Sequence, residues 1–520
     1  MTINRREMLG LLGAAALNAA DWDSGSVDHI LPAANHNRIL VKVSFKQPLS
    51  APPRLSAGAR SAQGLRGDSH GTYWSFGLDN LKPATTHTLR LLDARGKPLC
   101  QEWPLKTFPD PSANISRFRL MIYTCAGGHP ELPEHDSPRI AFLPLAQRQA
   151  MFENGLRFQP DAAVAIGDQV YWDLRVGWAA ERLGKSKFAL SRVGVFDRSL
   201  PVFGTDNERK LKLAVHPQIA SLYGARFRST PVFFVQDDHD YFENDEAHPH
   251  IVTFPPDPFM LRMARATQRL FYPEFLPDPN RPLGLQEPGA ANLSESFGTL
   301  RYGNLAELLI YDCRRFTSLA GPAATLIPEE AEKWIMQRMA SRDTAHLVNV
   351  PSLPLAWSAG KWGDWYPDVL QDNGKLGLGK PKYFWQEGWR TQHDRLLAAA
   401  SAMNRIPLFL CGDMHAHAHG RIFQTGKADL RRNPVETLLT GPISTGRNMW
   451  PSSARGTPPL ASLTLELEQP LPPVERNGFS IVDFTPDHIE IRSFAWKQGE
   501  PEDGLRGMQP FRTVRLQRRG

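Results

Sequence analysis

Four times along this chain an apolar, strand-like run stops at residues that bind metal ions. FRLMIYTC ends at Cys125, and AAVAIGDQVYWD carries Asp168 and Tyr171 just past its apolar run. VFFVQDDHD supplies Asp237, Asp238 and His239, and LFLCGDMHAHAHG supplies Asp413 and His415. A buried strand that stops at a carboxylate, thiolate, phenol or imidazole is how an α/β sheet builds a site at its strand tips. One such ending is ordinary, because polar residues begin loops. Four, with donor types suited to a hard and highly charged pair of metals, restrict the chain to folds in which strand tips converge.

At 520 residues the chain exceeds one ordinary core, so two or three domains are expected. Its 41% hydrophobic and 22% charged residues describe a folded protein, not a disordered one. The net charge of +6 arises from 60 Lys+Arg against 54 Asp+Glu and forms no basic block, so no nucleic-acid partner is expected. Asn4-Arg5-Arg6-Glu7-Met8-Leu9, followed by the Ala-rich stretch from Gly10 to Ala20, resembles a twin-arginine export signal covering residues 1–27. That stretch is shorter than the roughly 20 residues a spanning helix needs. No other segment reads as transmembrane. The expected location is therefore periplasmic, cell-envelope or secreted. Cys100, Cys125, Cys313 and Cys411 show no CxxC pairing. Cys313 and Cys411 read as buried small hydrophobes rather than as parts of a disulfide scaffold.

Residues 28–110 differ from the rest. RILVKVSF, TYWSFGL and THTLRLLDA are short alternating runs separated by Pro, Gly and Ser. Leu81-Lys82-Pro83-Ala84-Thr85-Thr86-His87 resembles the L-x-P-x-T-x-Y corner of fibronectin-type-III-like sandwiches, with His87 where tyrosine is usual. The reading is a small β-sandwich domain ending at a proline-stiffened linker, Lys106 to Pro111. From residue 113 onward strand-like runs alternate with helical segments (HPQIASLYGARF, FMLRMARATQRLFY, PEEAEKWIMQRMAS and TQHDRLLAAASAMN), which argues for an α/β (α+β) main domain over 113–520. FSIVDFTPDHIEIRSFAW reads as an edge hairpin closing a sheet. The stretch 357–389, with five tryptophans and many glycines, reads as a long functional loop.

Within these segments Asp168 can bridge two cations through its two oxygens. Tyr171 can offer a phenolate, and lowering a reference pKa of about 10 calls for a strong Lewis acid such as ferric iron. Asp413 and His415, two apart on an extended strand end, point to one side, and His417 and His419 continue the period. His415 is the expected ligand of that run, and His417 an electrostatic contact to a bound anion. In DDHD one aspartate ligates metal while His239 protonates a leaving group or steadies negative charge. Cys125 completes the set as a thiolate.

The order Cys, GDxxY, DDHD, DxR, GDxH resembles the alkaline phosphatase D (PhoD-like) branch of the metallophosphoesterases, which in turn resemble purple acid phosphatases. The match runs from about residue 113 to the C-terminus. It implies a two-sheet metallophosphatase sandwich flanked by helices, with iron and calcium at one site. Carried over, Cys125, Asp168, Tyr171 and His415 hold the iron, and Asp168, Asp238 and Asp413 face the second metal. Asp312 and Arg314 match the family's L-D-x-R segment, where the guanidinium grips phosphate bidentately. WQEGWRTQHDRLL resembles a family W-D-G-Y stretch, with Glu387 for aspartate and Trp389 for tyrosine.

The expected function is an exported, metal-dependent phosphoesterase. It would cleave phosphate mono- or diesters, with a lipid or wall polymer among the candidate substrates, through a dinuclear metal-activated hydroxide, with His239 and Arg314 catalytic. The rival readings are a phosphodiesterase of phospholipase D type and a cell-envelope polymer-binding protein with a structural metal site.

Overall fold

The computed structural model describes residues 22–131, 141–172, 192–241, 256, 258–278, 281, 293–318, 321–357, 366–370, 376–380, 387–446 and 465–518. The paired arginines of the N-terminal segment lie outside the described residues, as does most of the Trp-rich stretch 357–389.

Alternation of buried and exposed side chains drives the first hundred residues into two antiparallel four-stranded sheets. One is ordered Val27–Ala34, Ile39–Phe45, Tyr73–Leu78, Leu65–Arg66, and the other Arg60–Gln63, Arg54–Ala57, Thr86–Leu92, Trp103–Lys106. Leu55, Leu89, Leu91, Trp103 and Leu105 bury against Val41, Val43, Trp74 and Phe76 between them. The Leu81–His87 corner is pinned by Thr107, whose Oγ1 donates to the Lys82 carbonyl at 2.6 Å and accepts from the Thr85 amide at 3.1 Å.

The two sheets of the main domain are larger. The first has six strands in the order Val232–Val235, Ala162–Ile166, Phe118–Thr124, Asn477–Phe484, His488–Trp496, Pro510–Gln517, of which the first three run parallel. The 479–496 hairpin is therefore interior; Pro510–Gln517 takes the edge because it pairs with His488–Trp496. In the second sheet, Phe297–Tyr302, Ala306–Tyr311, His346–Pro351, Leu408–Cys411, Val435–Leu439, His417–Thr425 and Ala428–Asp429 follow in that order, with Leu465–Val474 also pairing with His417–Thr425.

These parallel strands are covered on both faces, which is why their sequences are continuously apolar. Leu120 and Ile122 of the first sheet meet Leu308, Ile310, Val348, Val350, Leu408 and Leu410 of the second. The alternate residues Met121 and Tyr123 face outward and pack with residues of the helices Leu145–Leu156, Asp206–Val215 and Pro258–Phe271. Leu309, Leu347 and Phe409 do the same toward Glu329–Ala340 and Glu387–Ser401. Four helical runs legible in the sequence thus fall on the outer layers, although HPQIASLYGARF is helical only over Ala220–Tyr223.

The N-terminal sandwich shares the intersheet core: its Val41, Phe76 and Trp103 belong to the same apolar cluster as Leu120, Val164 and Phe233. Polar contacts fix the seam. Fully buried His29 bonds Ser44 Oγ through Nδ1 at 2.5 Å and the Phe271 carbonyl through Nε2 at 2.9 Å. Lys42 pairs with Glu274 at 2.9 Å, and Glu208 accepts the Ser69 amide at 3.0 Å.

Burial pushes the His29 imidazole down from 6.5 to about 4. A histidine held neutral in the fold takes up its proton first in the unfolded chain, so stability is intact above pH 6.5 and lost as pH falls from 6.5 toward 4. We expect the melting temperature to drop across that window and the slope to flatten in His29→Gln. Identical slopes in differential scanning calorimetry would count against this seam as the acid-sensitive element.

Candidate metal centre

The parallel strands of both sheets end at one rim, and each functional side chain occupies the first residues past a tip. Phe118–Thr124 delivers Cys125, Ala162–Ile166 delivers Asp168, and Val232–Val235 delivers Asp237 and Asp238. Leu408–Cys411 delivers Asp413 and His415, and Ala306–Tyr311 delivers Asp312 and Arg314. The Thr124 side chain ties three tips together. Its Oγ1 donates to the Ile166 carbonyl and accepts from the Asp413 amide at 3.2 Å.

Backbone conformation marks the same residues. Among the described residues seven non-glycines have positive φ, and four of them are Cys125 (48°), Asp168 (55°), Asp413 (68°) and His415 (54°). Left-handed backbone at a non-glycine costs on the order of 1–3 kcal/mol and persists where the surroundings over-determine it. The strain turns these side chains back across the rim. It also revises one sequence argument: Asp413 and His415 lie in a turn ahead of the strand His417–Thr425, not on an extended strand end.

The donor atoms form three overlapping groups, within each of which they lie within 4.8 Å of one another: Cys125, Asp168, His415; Asp168, Asp238, His239; and Asp237, Asp238, Asp413. Tyr171 belongs to the first by geometry. Its hydroxyl donates to Asp168 Oδ2 at 2.7 Å and meets His415 Nε2 at 3.0 Å, while Cys125 Sγ lies 3.2 Å from the same carboxylate oxygen. His239 packs its ring 4.1 Å from that of Tyr171. Arg314 enters from the opposite strand, its Nε donating to Asp237 Oδ1 at 2.5 Å and its Nη2 to Asp413 Oδ2 at 3.3 Å.

Charge is badly balanced here. Asp168 and Asp237 are fully buried; burial, then the neighbouring aspartates, push Asp168 far above the usual carboxylate range. Burial likewise raises Asp237, with Arg314 opposing it. Desolvation and the Asp168 charge raise both the Cys125 thiol and the Tyr171 phenol. Asp168 Oδ1, Asp237 Oδ2 and Asp238 Oδ1 are buried and hydrogen-bond to nothing among the described residues. An orphaned buried carboxylate oxygen is costly unless a cation faces it. Three of them, set beside a thiol, a phenol and an imidazole, fit metal ions.

Several residues that hold this arrangement carry no motif. Asp240 caps the neighbouring loop, accepting the amides of Gln169 (2.9 Å), Val170 (3.0 Å) and Asp237 (2.9 Å). Gln218 accepts from the Gly128 and Tyr171 amides at 2.6 and 2.9 Å. Fully buried Arg148 donates to the carbonyls of Gly127, Gly128 and Leu143. Asp312 serves the turn: its Oδ1 caps the Arg314 and Arg315 amides at 2.7 and 2.9 Å, and its Oδ2 meets the Tyr241 hydroxyl.

His417 does not join the cluster. Its ring is fully buried, packs edge-on to Phe511 at 5.3 Å and fills the space left by Gly441 and Gly478. The structure therefore places His417, expected to meet a bound anion, in the core and outside these donor groups. His419 instead pairs with Glu436 at 2.7 Å. Of the two family-like positions on the helix Glu387–Ser401, Trp389 donates to the Ser318 carbonyl at 2.8 Å and Glu387 opens the helix. All four cysteines are free and buried.

The family model of the PhoD-like phosphatases matches residues 146–492. The solved structure of PhoD superposes with a TM-score of 0.59 at 14% identity, over 95% of this chain and 91% of that one. Purple acid phosphatase PPD1 from yellow lupin (Lupinus luteus) seeds gives 0.56 at 13% identity, over 94% of this chain and 74% of that one. Both show a shared metallophosphatase fold. A comparison with curated protein sequences finds no match. By the family match the chain belongs to the PhoD-like phosphatases, metal-dependent hydrolases of phosphoric ester bonds.

Proposed function

We propose an exported enzyme that hydrolyses phosphate mono- or diesters at a two-cation site, with iron and calcium as the pair. Cys125, Asp168, Tyr171 and His415 would hold the iron, and Asp168, Asp238 and Asp413 the second ion. The observation that carries this reading is the meeting of thiol, phenol, imidazole and carboxylate at one point, beside the carboxylate group Asp237, Asp238 and Asp413, which shares two members with the proposed second site. Soft and phenolic donors suit iron, whereas an all-oxygen set suits calcium. Bound there, the ions supply Lewis-acid polarisation of the phosphate and activate the attacking water.

The chain's own residues do the rest. Asp237 holds the Arg314 guanidinium by its Nε edge, so the planar fork is set before substrate arrives and offers charge to the transferring phosphoryl group. His239, buried against the Tyr171 ring and next in sequence to Asp238, is the group that gives a proton to the leaving oxygen. Among the described residues no helix is long and apolar enough to cross a membrane. The export proposal rests on Arg5 and Arg6 and predicts that replacing both by lysine leaves the protein in the cytoplasm on fractionation.

Elemental analysis of protein purified without chelator should find iron with calcium; zinc alone would overturn the thiolate–phenolate assignment. Asp168→Asn should lose bound metal and hydrolysis together, and its melting temperature should no longer respond to chelator. Full metal content with full activity in that variant would sink the proposal. His239→Ala should keep its metal while kcat falls by about 10²–10⁴-fold. The same assay run on a monoester, a diester and a phospholipid separates monoesterase from phosphodiesterase action, because only the preferred ester should show the full loss.

A further inference from the structure

At the end of the second sheet opposite the metal centre, where Leu408–Cys411 and Val435–Leu439 begin, lies a cavity of about 790 Å³. Its walls include Arg342, Arg405, Arg421, Arg432 and Arg515. A neighbouring cavity of about 570 Å³ shares Arg342 and adds Arg518. Six arginines thus line two adjoining cavities; one of them, Arg421, is paired with Glu436 at 2.8 Å and Glu468 at 3.5 Å. The first cavity has one carboxylate, Glu436, and it is already engaged by His419 at 2.7 Å and Arg421 at 2.8 Å. Asp343 of the second is engaged by Arg301 at 2.7 Å and by Arg338 at 2.9 Å.

Arg405 is the informative residue. It is only 6% exposed, and its Nη2 donates to the Ser341 carbonyl. Its Nη1 is buried, and among the described residues it has no hydrogen-bond partner and no carboxylate forms an ion pair with the side chain, although Asp343 and Glu307 act on it electrostatically from further off. Burial pushes its pKa below the usual arginine value. A buried guanidinium is normally paired, because desolvating a charge without a partner is costly. Arg342, exposed at the junction of the two cavities, likewise makes no side-chain hydrogen bond or ion pair among the described residues.

We propose that this surface is a second anion site, separate from the metal centre, that takes a ligand carrying several phosphate groups. Guanidinium forks match phosphate oxygens bidentately. The cavity is of small-molecule size, far larger than one phosphate requires. The arginines extend from one cavity into the next, so an oligophosphate or phosphate-chain ligand engages more of them than a single ion does.

The test is calorimetric titration of the metal-loaded enzyme with cyclic trimetaphosphate, a three-charge probe that grips metals weakly, beside orthophosphate and citrate. Wild type should bind trimetaphosphate more tightly than either. Arg342→Gln/Arg515→Gln, two exposed positions whose loss leaves the core intact, should weaken that binding about tenfold or more while monoester hydrolysis is unchanged. Equal affinity in the variant and wild type would overturn the site. Orthophosphate binding as tightly as trimetaphosphate would overturn the multi-phosphate ligand, and citrate doing so would overturn the phosphate assignment. Because the variant retains the metal centre, its failure to bind is separable from any failure of the hydrolytic reading.

Discussion

Five aspartates, Asp168, Asp237, Asp238, Asp240 and Asp413, converge past the strand tips, and all but Asp413 are buried. Two like charges about 4 Å apart repel by on the order of 4 kcal/mol at an effective dielectric near 20. Arg314 meets two of these carboxylates and leaves the others to one another. Without further positive charge, burial and then the neighbouring charges favour the neutral acid, thiol and phenol of Asp168, Cys125 and Tyr171. Cations are the economical resolution, and the rest of the structure can be understood as what keeps the aspartates from relaxing apart.

That restraint comes from backbone. Four donors sit in left-handed conformation, and the loops bearing them are stitched by hydrogen bonds to buried side chains. Gly167 shows how little slack remains: its φ is 72°, and a Cβ there would lie 2.4 Å from the Asp237 side chain. The GD of GDQVY is thus two requirements in one dipeptide, with the glycine admitting Asp237 and the aspartate joining two of the donor groups. Arg148, Gln218 and Asp240 act one layer further out, fixing carbonyls and amides of the same loops.

What could be read from the sequence follows from what each signal encodes. Doubly buried parallel strands give long apolar runs, so their tips stand out, and Cys125, Asp168, Asp238, Asp413 and His415 all lie within the first few residues past them. Periodicity failed at His417 because it assumes unbroken extension, whereas the chain turns through positive φ at 413 and 415 before the strand starts. Arg148 and Gln218 were not legible at all. Each acts through backbone groups distant in sequence, and a helical arginine or a lone glutamine carries no spacing rule. The six arginines of the opposite surface come from separate segments, so they form no charge run in the sequence and meet only in the fold.

The DDHD tetrapeptide shows how densely the proposed chemistry is packed. Its backbone leaves the strand Val232–Val235 and enters a short 3-10 turn over Asp238–Tyr241, so four successive side chains leave in four directions. Asp237 goes to Arg314, Asp238 to the carboxylate group, His239 to the Tyr171 ring, and Asp240 back to three backbone amides. An extended strand would have sent Asp237 and His239 to one face and Asp238 and Asp240 to the other. On the proposed assignment this turn lets one segment orient the arginine, hold a cation, carry the proton donor and stabilise its own loop. On the same assignment Asp413 closes the circuit, since a carboxylate accepts several partners and can serve Arg314 through Oδ2 as well as a cation. Arginine and metal are then held by a common anion, and the charge that grips phosphate is set by the same residue that helps bind the metal.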